Sequence, residues 1–525
     1  MKNMFKKHGV VKCVGGCLGL LGLLLAIISI FIKSDSATLV MGIISCLFIV
    51  VGLFLMAFQA EEKRTLKLIG AFIVAAIVIT WILPYGYFQG KDFYDYGMQR
   101  VGLGDLSVAA YYSFNFTMDK ILFLFVAAGF YGVLSVTNGY KQLVTSLAKK
   151  LQKHSIVSSI MISLIIVLLT AFISNTFIVL LFIPFFISVL SNMKIDKIST
   201  FGITFGSLLV GLLGSVFGTE SLTSFNSYLG TEVTTAIAYR LIILVIAFVL
   251  YSFFMVMRLK KTLKDKNTET MEDPFVVEKP KKAVKSLPTI IVLGLLVIFI
   301  VLGYVSWNGN WSIEVFDKFH KWLTGLTIGD DFTIFGYILG TNAVAFGAFE
   351  LFTSIIVLFV VSALLAFMNH VTFNEYVEAF FNGMKKMFKP ILVVLGIYLV
   401  FVICYMSPFI PTITNWAYGL TSSFNPFIAL IMAFVTSVFQ VDLGYTAYSI
   451  GTYLTSAFAS KLNIVHAIYT SMYGIVQLFM PTSIILMLGL TLTKVDYKSW
   501  FKYIWLYVVG MLIILTVFFT VVTYI

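Results

Sequence analysis

The sequence predicts an all-α polytopic membrane protein. Its 525 residues are 60% hydrophobic and 11% charged, and the mean hydropathy is +0.99, a composition typical of chains with many membrane-spanning helices. Apolar runs long enough to cross a bilayer recur along the chain. Most of the 36 Lys and Arg residues fall in segments that alternation places on one side of the membrane, which is the positive-inside pattern. The net charge of +12 therefore orients the chain and does not indicate an acidic partner such as nucleic acid.

The first half of the chain is predicted to contain an extra helix followed by a repeat unit. Residues 1–36 predict an N-terminal extra transmembrane helix, because the apolar run is long enough to span and no cleavage-like site follows it. Residues 37–257 predict the first repeat, with spans at 37–59, 68–84, 118–136, 198–222 and 234–257. Before the fourth of these spans, residues 140–154 predict an amphipathic helix that carries lysines and lies at the inner interface.

The apolar stretch 155–190 is about twice as long as one membrane-crossing helix needs to be. Its only polar break is Ser174-Asn175-Thr176. Two interpretations fit: two full spans that meet at an outer turn, or a re-entrant hairpin with its tip inside the membrane. A tip of that kind is tolerated only where its backbone lines a protein cavity. Lysines flank both ends and predict that both are cytoplasmic. We favour the hairpin because a second such stretch occurs later in the chain.

The second half is predicted to replay the first with the sides of the membrane exchanged. Residues 258–287 form a charged cytoplasmic linker, expected to be a flexible tether. The second repeat, 288–525, has spans near 288–306, 350–368, 390–405, 463–493 and 503–523. A second hairpin, 426–458, is broken within TSVFQVDLGY (436–445), and the span 463–493 is interrupted at 480–483.

This arrangement predicts an inverted-repeat secondary transporter with two re-entrant hairpins and about eleven transmembrane helices. Asn175 and Thr219 have the same sequence separation as Val438 and Thr482, and an odd number of crossings per repeat inverts the second copy. In such folds the substrate and ion sites lie on broken helices. We expect a multi-pass protein of a bacterial cytoplasmic membrane, with its N-terminus inside and its C-terminus outside.

Candidate binding residues lie at the breaks of the first repeat. The first hairpin tip offers the hydroxyls and amide of Ser174, Asn175 and Thr176, together with N–H groups for an anion and carbonyls for a cation such as Na⁺. The alternative is that these small polar residues only hold helices together. In the next span, Thr219, Glu220 and Ser221 follow a glycine-rich run. An acid near the membrane interior is a functional candidate, although Glu220 could instead lie at the outer interface.

The second repeat supplies a matching set of candidates. They are Thr436, Ser437, Gln440 and Asp442 at the hairpin break, and Pro481, Thr482 and Ser483 at the span break. A simple proline kink with replacement hydrogen bonds is the alternative for the last three. The sequence contains no phosphate loop, metal-ligand cluster or nucleophile–base pattern, so we expect no cofactor other than a coupling Na⁺ or H⁺.

With these residues in view, the chain resembles the ion transporter superfamily, and within it the YfcC-like and anaerobic C4-dicarboxylate carrier group. The C-terminal match is Pro481-Thr482-Ser483 with Leu486-Met487, followed by Val495, Tyr497, Trp500 and Lys502. Residues 81–86, WILPYG, look like that group's opening motif. Ser174-Asn175-Thr176 with Pro184 looks like the hairpin tip of the related sodium/dicarboxylate symporters.

The resemblance implies a homodimer with a scaffold domain and a mobile transport domain that carries substrate with Na⁺ or H⁺ coupling. The sequence departs from the group in two places: TSVFQVDLGY replaces a Gly-Ser-rich second tip, and the first hairpin lacks an acidic pair. Both departures fall where substrate would bind.

We therefore predict a cation-coupled secondary transporter or exchanger of a small charged metabolite, and not an enzyme. Because Glu220 and Asp442 are acidic and no Lys or Arg is near the hairpin tips in sequence, the favoured substrate is a basic or zwitterionic amino acid. A C4-dicarboxylate is the alternative within the same fold. An alternative from another class is a membrane-embedded enzyme that acts on lipid-linked glycans. Such an enzyme is expected to have a large outer loop with clustered Arg and His.

Overall fold

Helices dominate the structure, a computed structural model that describes residues 10–29, 35–58, 65–218, 220–264, 269–275, 286–329, 332–340 and 342–525. The strands in these ranges form two separate two-stranded antiparallel ribbons. Ribbon β1–β2 joins Gly86–Gln89 to Asp92–Asp95, with Gly86 opposite Asp95. Ribbon β3–β4 joins Thr327–Ile328 to Phe332–Thr333. The all-α polytopic prediction is confirmed.

The described residues divide into two compact units. The first unit comprises the described parts of 1–117, 224–243 and 389–525, and the second those of 118–223 and 244–388. Each hairpin falls entirely within one unit: 155–190 in the second and 426–458 in the first. The inverted-repeat boundaries at 37–257 and 288–525 stay a prediction.

The first unit contains both chain ends and the second hairpin. Its helices up to residue 117 are α1 (Val10–Ser29), α2 (Asp35–Phe58), α3 (Thr65–Ile82) and α4 (Asp105–Asn115). Its later helices are α20 (Phe388–Met406), α21 (Ile410–Tyr418), α22 (Pro426–Phe439), α23 (Leu443–Ala457), α24 (Leu462–Phe479), α25 (Ile484–Thr493) and α26 (Tyr497–Tyr524).

The second unit contains the first hairpin and the linker. Its helices before the linker are α5 (Met118–Val136), α6 (Asn138–Gln152), α7 (Ser155–Phe172), α8 (Thr176–Val179), α9 (Ile183–Asn192), α10 (Lys197–Phe201) and α11 (Ser207–Gly214), the last two joined by a π-helical turn at Gly202–Gly206. Two further helices, α12 (Glu220–Leu229) and α13 (Ile237–Thr262), are divided between the units, because residues 224–243 belong to the first unit. Those after the linker are α14 (Leu287–Tyr304), α15 (Trp307–Trp311), α16 (Val315–Thr324), α17 (Ile334–Leu339), α18 (Leu351–Met368) and α19 (Phe373–Lys385).

Eleven helical segments of the described residues are long and apolar enough to cross a membrane. The number equals the prediction, but the members differ. The predicted N-terminal span is not one of the eleven, because its apolar helical stretch, Cys13–Ser29, is shorter than the others. In its place stands α7, which is predicted as a hairpin arm and has the length of a full span. The predicted span at 390–405 continues backwards into an amphipathic helix, so that the apolar segment covers Phe373–Met406.

The linker differs from the flexible tether that its charge predicts. Residues 269–275, here called the docked linker segment, pack on the second unit. Asp196 pairs with Thr270 in an isolated β-bridge, and Met271 and Phe275 are each 2% exposed. Ser188 of the first hairpin donates to Asp273 Oδ2 at 2.6 Å. Two apolar side chains anchor this segment although lysines and acids dominate the surrounding sequence.

The interrupted helical segment Ala459–Thr493 is closed by side chains from α26. Met480 is extended and Pro481 has no N–H, so α24 ends at Phe479 and the last carbonyls of the helix lose their helical donors. Trp500 Nε1 donates to Leu478 O at 2.8 Å, and the Tyr497 hydroxyl donates to Phe479 O. The Tyr and Trp of the C-terminal motif thus satisfy carbonyls that the break exposes.

Candidate functional site

The tip of the first hairpin is a three-residue break between α7 and α8. Ile173 and Asn175 have extended backbone, and Asn175 caps α8 by accepting the N–H of Phe177 at 2.9 Å. The N–H of Ser174 donates to Tyr304 O, at the end of α14, at 2.9 Å. Protein groups therefore satisfy the N–H groups of Ser174 and Phe177, as a break among apolar helices requires.

The end of the predicted span 198–222 lies against this tip. Phe217 N–H donates to Ala171 O at 3.0 Å, and a Cβ on Gly218 would lie 3.4 Å from the Cα of Ser174. The chain then enters α12 at Glu220. The structure therefore brings Asn175 and Glu220 together: Asn175 Nδ2 donates to Glu220 Oε2 at 3.0 Å.

A lysine completes a charged cluster at this tip. Lys120 belongs to the first turn of α5, and its Nζ lies 3.6 Å from Glu220 Oε1 and 3.2 Å from Asp119 Oδ2. The same Nζ lies 5.8 Å from the centroid of the Phe177 ring, where a cation–π interaction is favourable. The Lys120 side chain is 10% exposed, whereas that of Glu220 is 45% exposed. The cluster thus joins a buried ammonium to a half-accessible carboxylate.

Lys120 overturns the expectation that no basic residue lies near a hairpin tip. That expectation counted only residues adjacent in sequence, whereas Lys120 reaches the tip from α5. A signal was present, since Asp119 and Lys120 open an apolar span, where charged side chains are expensive and usually paired. The argument for a cationic substrate combined the acidic Glu220 and Asp442 with the absence of a nearby basic residue, and Lys120 removes the second premise at the first tip.

The remaining candidates of this region make fewer contacts. Thr176 is the first residue of α8, and Ser221 is the second residue of α12; both are half-buried. Thr219 lies outside the described residues. Among the residues that the structure describes, no group of three or more His, Cys, Asp or Glu could hold a metal ion.

The second hairpin tip repeats the backbone construction of the first. Gln440 and Asp442 are extended, as Ile173 and Asn175 are, and Asp442 caps α23 by accepting the N–H of Gly444 at 2.7 Å. Between them, Val441 O accepts the Tyr473 hydroxyl at 3.0 Å. The chemistry differs, because the cap is an acceptor-only carboxylate in place of an amide.

Gln440 faces a cavity of about 620 Å³ in the first unit. Its Nε2 donates to Ser449 Oγ at 3.0 Å, while its Oε1 is buried without a hydrogen-bond partner. The lining residues include no charged side chain, and several aromatic ones come from α20 and α23: Phe401, Tyr405, Tyr445 and Tyr448. Tyr87 of β1 also lines the cavity, and a hydrogen bond with Tyr96 raises the pKa of its phenol. This cavity suits neutral polar groups better than anions.

The other candidates of the second repeat serve mainly their own helices. Thr436 and Ser437 both donate to Ala433 O, at 3.1 and 2.7 Å. Ser483 caps α25 by accepting the N–H of Leu486 at 3.3 Å. Pro481 is buried beside them, and Thr482 Oγ1 is buried without a partner. Of these four hydroxyls, only that of Thr482 makes no hydrogen bond.

The fold and the charged hairpin tip define a multi-pass α-helical membrane carrier. The chain belongs to the C4-dicarboxylate anaerobic carrier family (DcuC), whose model matches residues 63–524. It is therefore a transport protein and not an enzyme, and the predicted resemblance to this group is confirmed.

Solved structures that match include the crystal structure of the YdaH transporter of Alcanivorax borkumensis, at 11% identity and a TM-score of 0.41, covering 87% of this chain and 98% of that chain. No curated protein matches the chain significantly.

Proposed function

We propose that this protein carries C4-dicarboxylates across the cell membrane, and that Lys120 and Asn175 bind one carboxylate of the substrate. The observation that supports this proposal is the position of Glu220. Its carboxylate accepts from the Asn175 amide at 3.0 Å and lies 3.6 Å from the Lys120 ammonium, so these two donors are already arranged around a carboxylate. The family description supports the substrate class.

The physical case depends on the burial of Lys120. A partly desolvated ammonium binds a carboxylate far more strongly than an exposed one does, because solvent screens it less. Hydrogen bonds to charged groups contribute about 1.5–3 kcal/mol each. The amino-acid preference inferred from sequence has no support in the family match, and the dicarboxylate alternative replaces it.

The test is uptake of labelled succinate into proteoliposomes under imposed Na⁺ or pH gradients, with a basic amino acid and a monocarboxylate as competitors. We expect succinate flux in the wild type, inhibited by other C4-dicarboxylates and not by the amino acid. We expect Lys120→Ala to raise KM about 10- to 100-fold, since about 1.4 kcal/mol corresponds to a tenfold change.

A matched control comes from an exposed lysine–glutamate pair. Lys318 and Glu314 lie 2.9 Å apart, but the Lys318 side chain is 75% exposed, and such pairs contribute little. Lys318→Ala should therefore leave KM unchanged. The proposed substrate is contradicted if wild-type protein in liposomes transports no dicarboxylate under any gradient. The proposed site is contradicted if Lys120→Ala has the wild-type KM.

Orientation and assembly complete the proposal. The lysine distribution supports an N-terminus inside and a C-terminus outside, which impermeant labelling of terminal tags measures directly. The family resemblance supports a homodimer, and chemical cross-linking in membranes tests it. Succinate uptake in the same liposomes, compared with and without an imposed Na⁺ or pH gradient, tests coupling to Na⁺ or H⁺.

A further inference from the structure

The carboxylate of Glu220 uses the same donors that the proposed function assigns to the substrate. One oxygen accepts from Asn175 at 3.0 Å, and the other lies 3.6 Å from Lys120 Nζ. The side chain is 45% exposed, so it fills this place while keeping a path to solvent. It stands at the first position of α12, directly after the interrupted stretch of the preceding span.

The charges around Lys120 limit what else can bind there. Asp119, on the same helix, lies 3.2 Å from Nζ, and its side chain is 28% exposed. The hairpin residues that face the cluster are uncharged, including Asn175 and the ring of Phe177. A substrate carboxylate added to this set would place three carboxylates around one ammonium, and like charges at such distances repel strongly. One carboxylate must leave.

Glu220 is the carboxylate that can leave. Asp119 is adjacent to Lys120 in sequence, so it stays close whatever the substrate does. Glu220 comes from a different segment, is the more exposed of the two acids, and alone occupies the Asn175 amide. Its departure would free both donors together, whereas departure of Asp119 would free only one side of Lys120.

We propose that Glu220 is an internal carboxylate that competes with the substrate and is displaced when a substrate carboxylate binds. This inference rests on the proposed function. Without substrate, Glu220 helps neutralise the buried Lys120, which would otherwise be a costly charge. With substrate, one carboxylate replaces another, so the number of carboxylates around Lys120 stays at two. The competition lowers the apparent affinity for dicarboxylates and disfavours ligands without a carboxylate, because they cannot replace Glu220.

The test is succinate binding to purified full-length protein. Glu220→Gln removes the competing charge but keeps the size of the side chain, so the Kd should fall about tenfold. Glu220→Ala should act in the same direction. Glu314→Gln, in the exposed pair with Lys318, is the matched control and should leave the Kd unchanged. A purely structural role for Glu220 predicts the opposite, a weaker affinity on substitution.

A second measurement uses the wild type and needs no variant. Saturating succinate should speed hydrogen exchange in peptides that cover α12, because the contacts that hold the start of this helix through Glu220 are lost. Slower exchange there, or an unchanged or higher Kd in Glu220→Gln, overturns the displacement proposal. If Lys120→Ala still loses uptake in that case, the proposed function stands and only this inference fails. If the wild type binds no dicarboxylate, both fail.

Discussion

The docked linker segment gives a prediction whose size follows from its packing. Phe275 is 2% exposed; its ring lies 5.5 Å from that of Tyr131 and 5.1 Å from Lys386 Nζ. Truncating a phenylalanine buried in this way costs about 3–5 kcal/mol. Because the segment is short and can relax, we take the lower end, about 3 kcal/mol, for Phe275→Ala. This corresponds to about a 100-fold change in the equilibrium between the docked and the open segment.

Hydrogen exchange at the amide of Phe275 measures that opening. This N–H donates to Asp273 Oδ1 at 2.9 Å, so it exchanges only when the segment opens, and its rate follows the opening equilibrium. We expect about 100-fold faster exchange in peptides that cover 269–275, without general loosening of the helices. Phe373→Ala is the control, since Phe373 is 77% exposed. Wild-type exchange rates in Phe275→Ala would show that the ring does not hold the segment.

Two further predictions concern packing inside each unit. A Cβ on Gly132 would lie 2.2 Å from Ala379 O, so Gly132→Ala should force α5 and α19 apart and lower the Tm in detergent. Gly70→Ala is the control: nothing lies within 4 Å of a Cβ at that position, so the Tm should be equal or slightly higher. Asn226→Ala should lower the free energy of unfolding by about 1–3 kcal/mol, because the buried His466 loses its 2.6 Å hydrogen bond to Asn226 Oδ1. An unchanged Tm would contradict this prediction.

The sequence predicts the helix breaks well because the breaks are encoded locally. Asn175 and Asp442 each accept the N–H two residues ahead, and Ser483 accepts the N–H three residues ahead. Such caps need only a short polar side chain and a few neighbouring residues. Pro481 ends α24 for an equally local reason, since it has no N–H to donate.

What the sequence does not predict depends on contacts between distant segments. Lys120 reaches the hairpin tip from α5, and no local pattern states which tip a lysine will meet. The docked linker segment depends on Met271 and Phe275, two apolar residues in a charged region whose composition alone indicates a flexible tether. The direction of a hydroxyl is equally hidden: Thr436 and Ser437 are candidate binding residues in sequence, yet both donate to Ala433 O.

The two hairpin tips share a backbone design and differ in chemistry, and the difference has a functional consequence. At the first tip the cap is Asn175, whose amide donates outward to a carboxylate beside the Lys120 ammonium. At the second tip the cap is Asp442, which only accepts, and Gln440 keeps a buried carbonyl oxygen without a partner. Donors and positive charge select anions, whereas acceptors select cations or donor groups. We therefore expect the first tip to bind the proposed dicarboxylate, and the second to bind a hydroxyl or the proposed coupling cation.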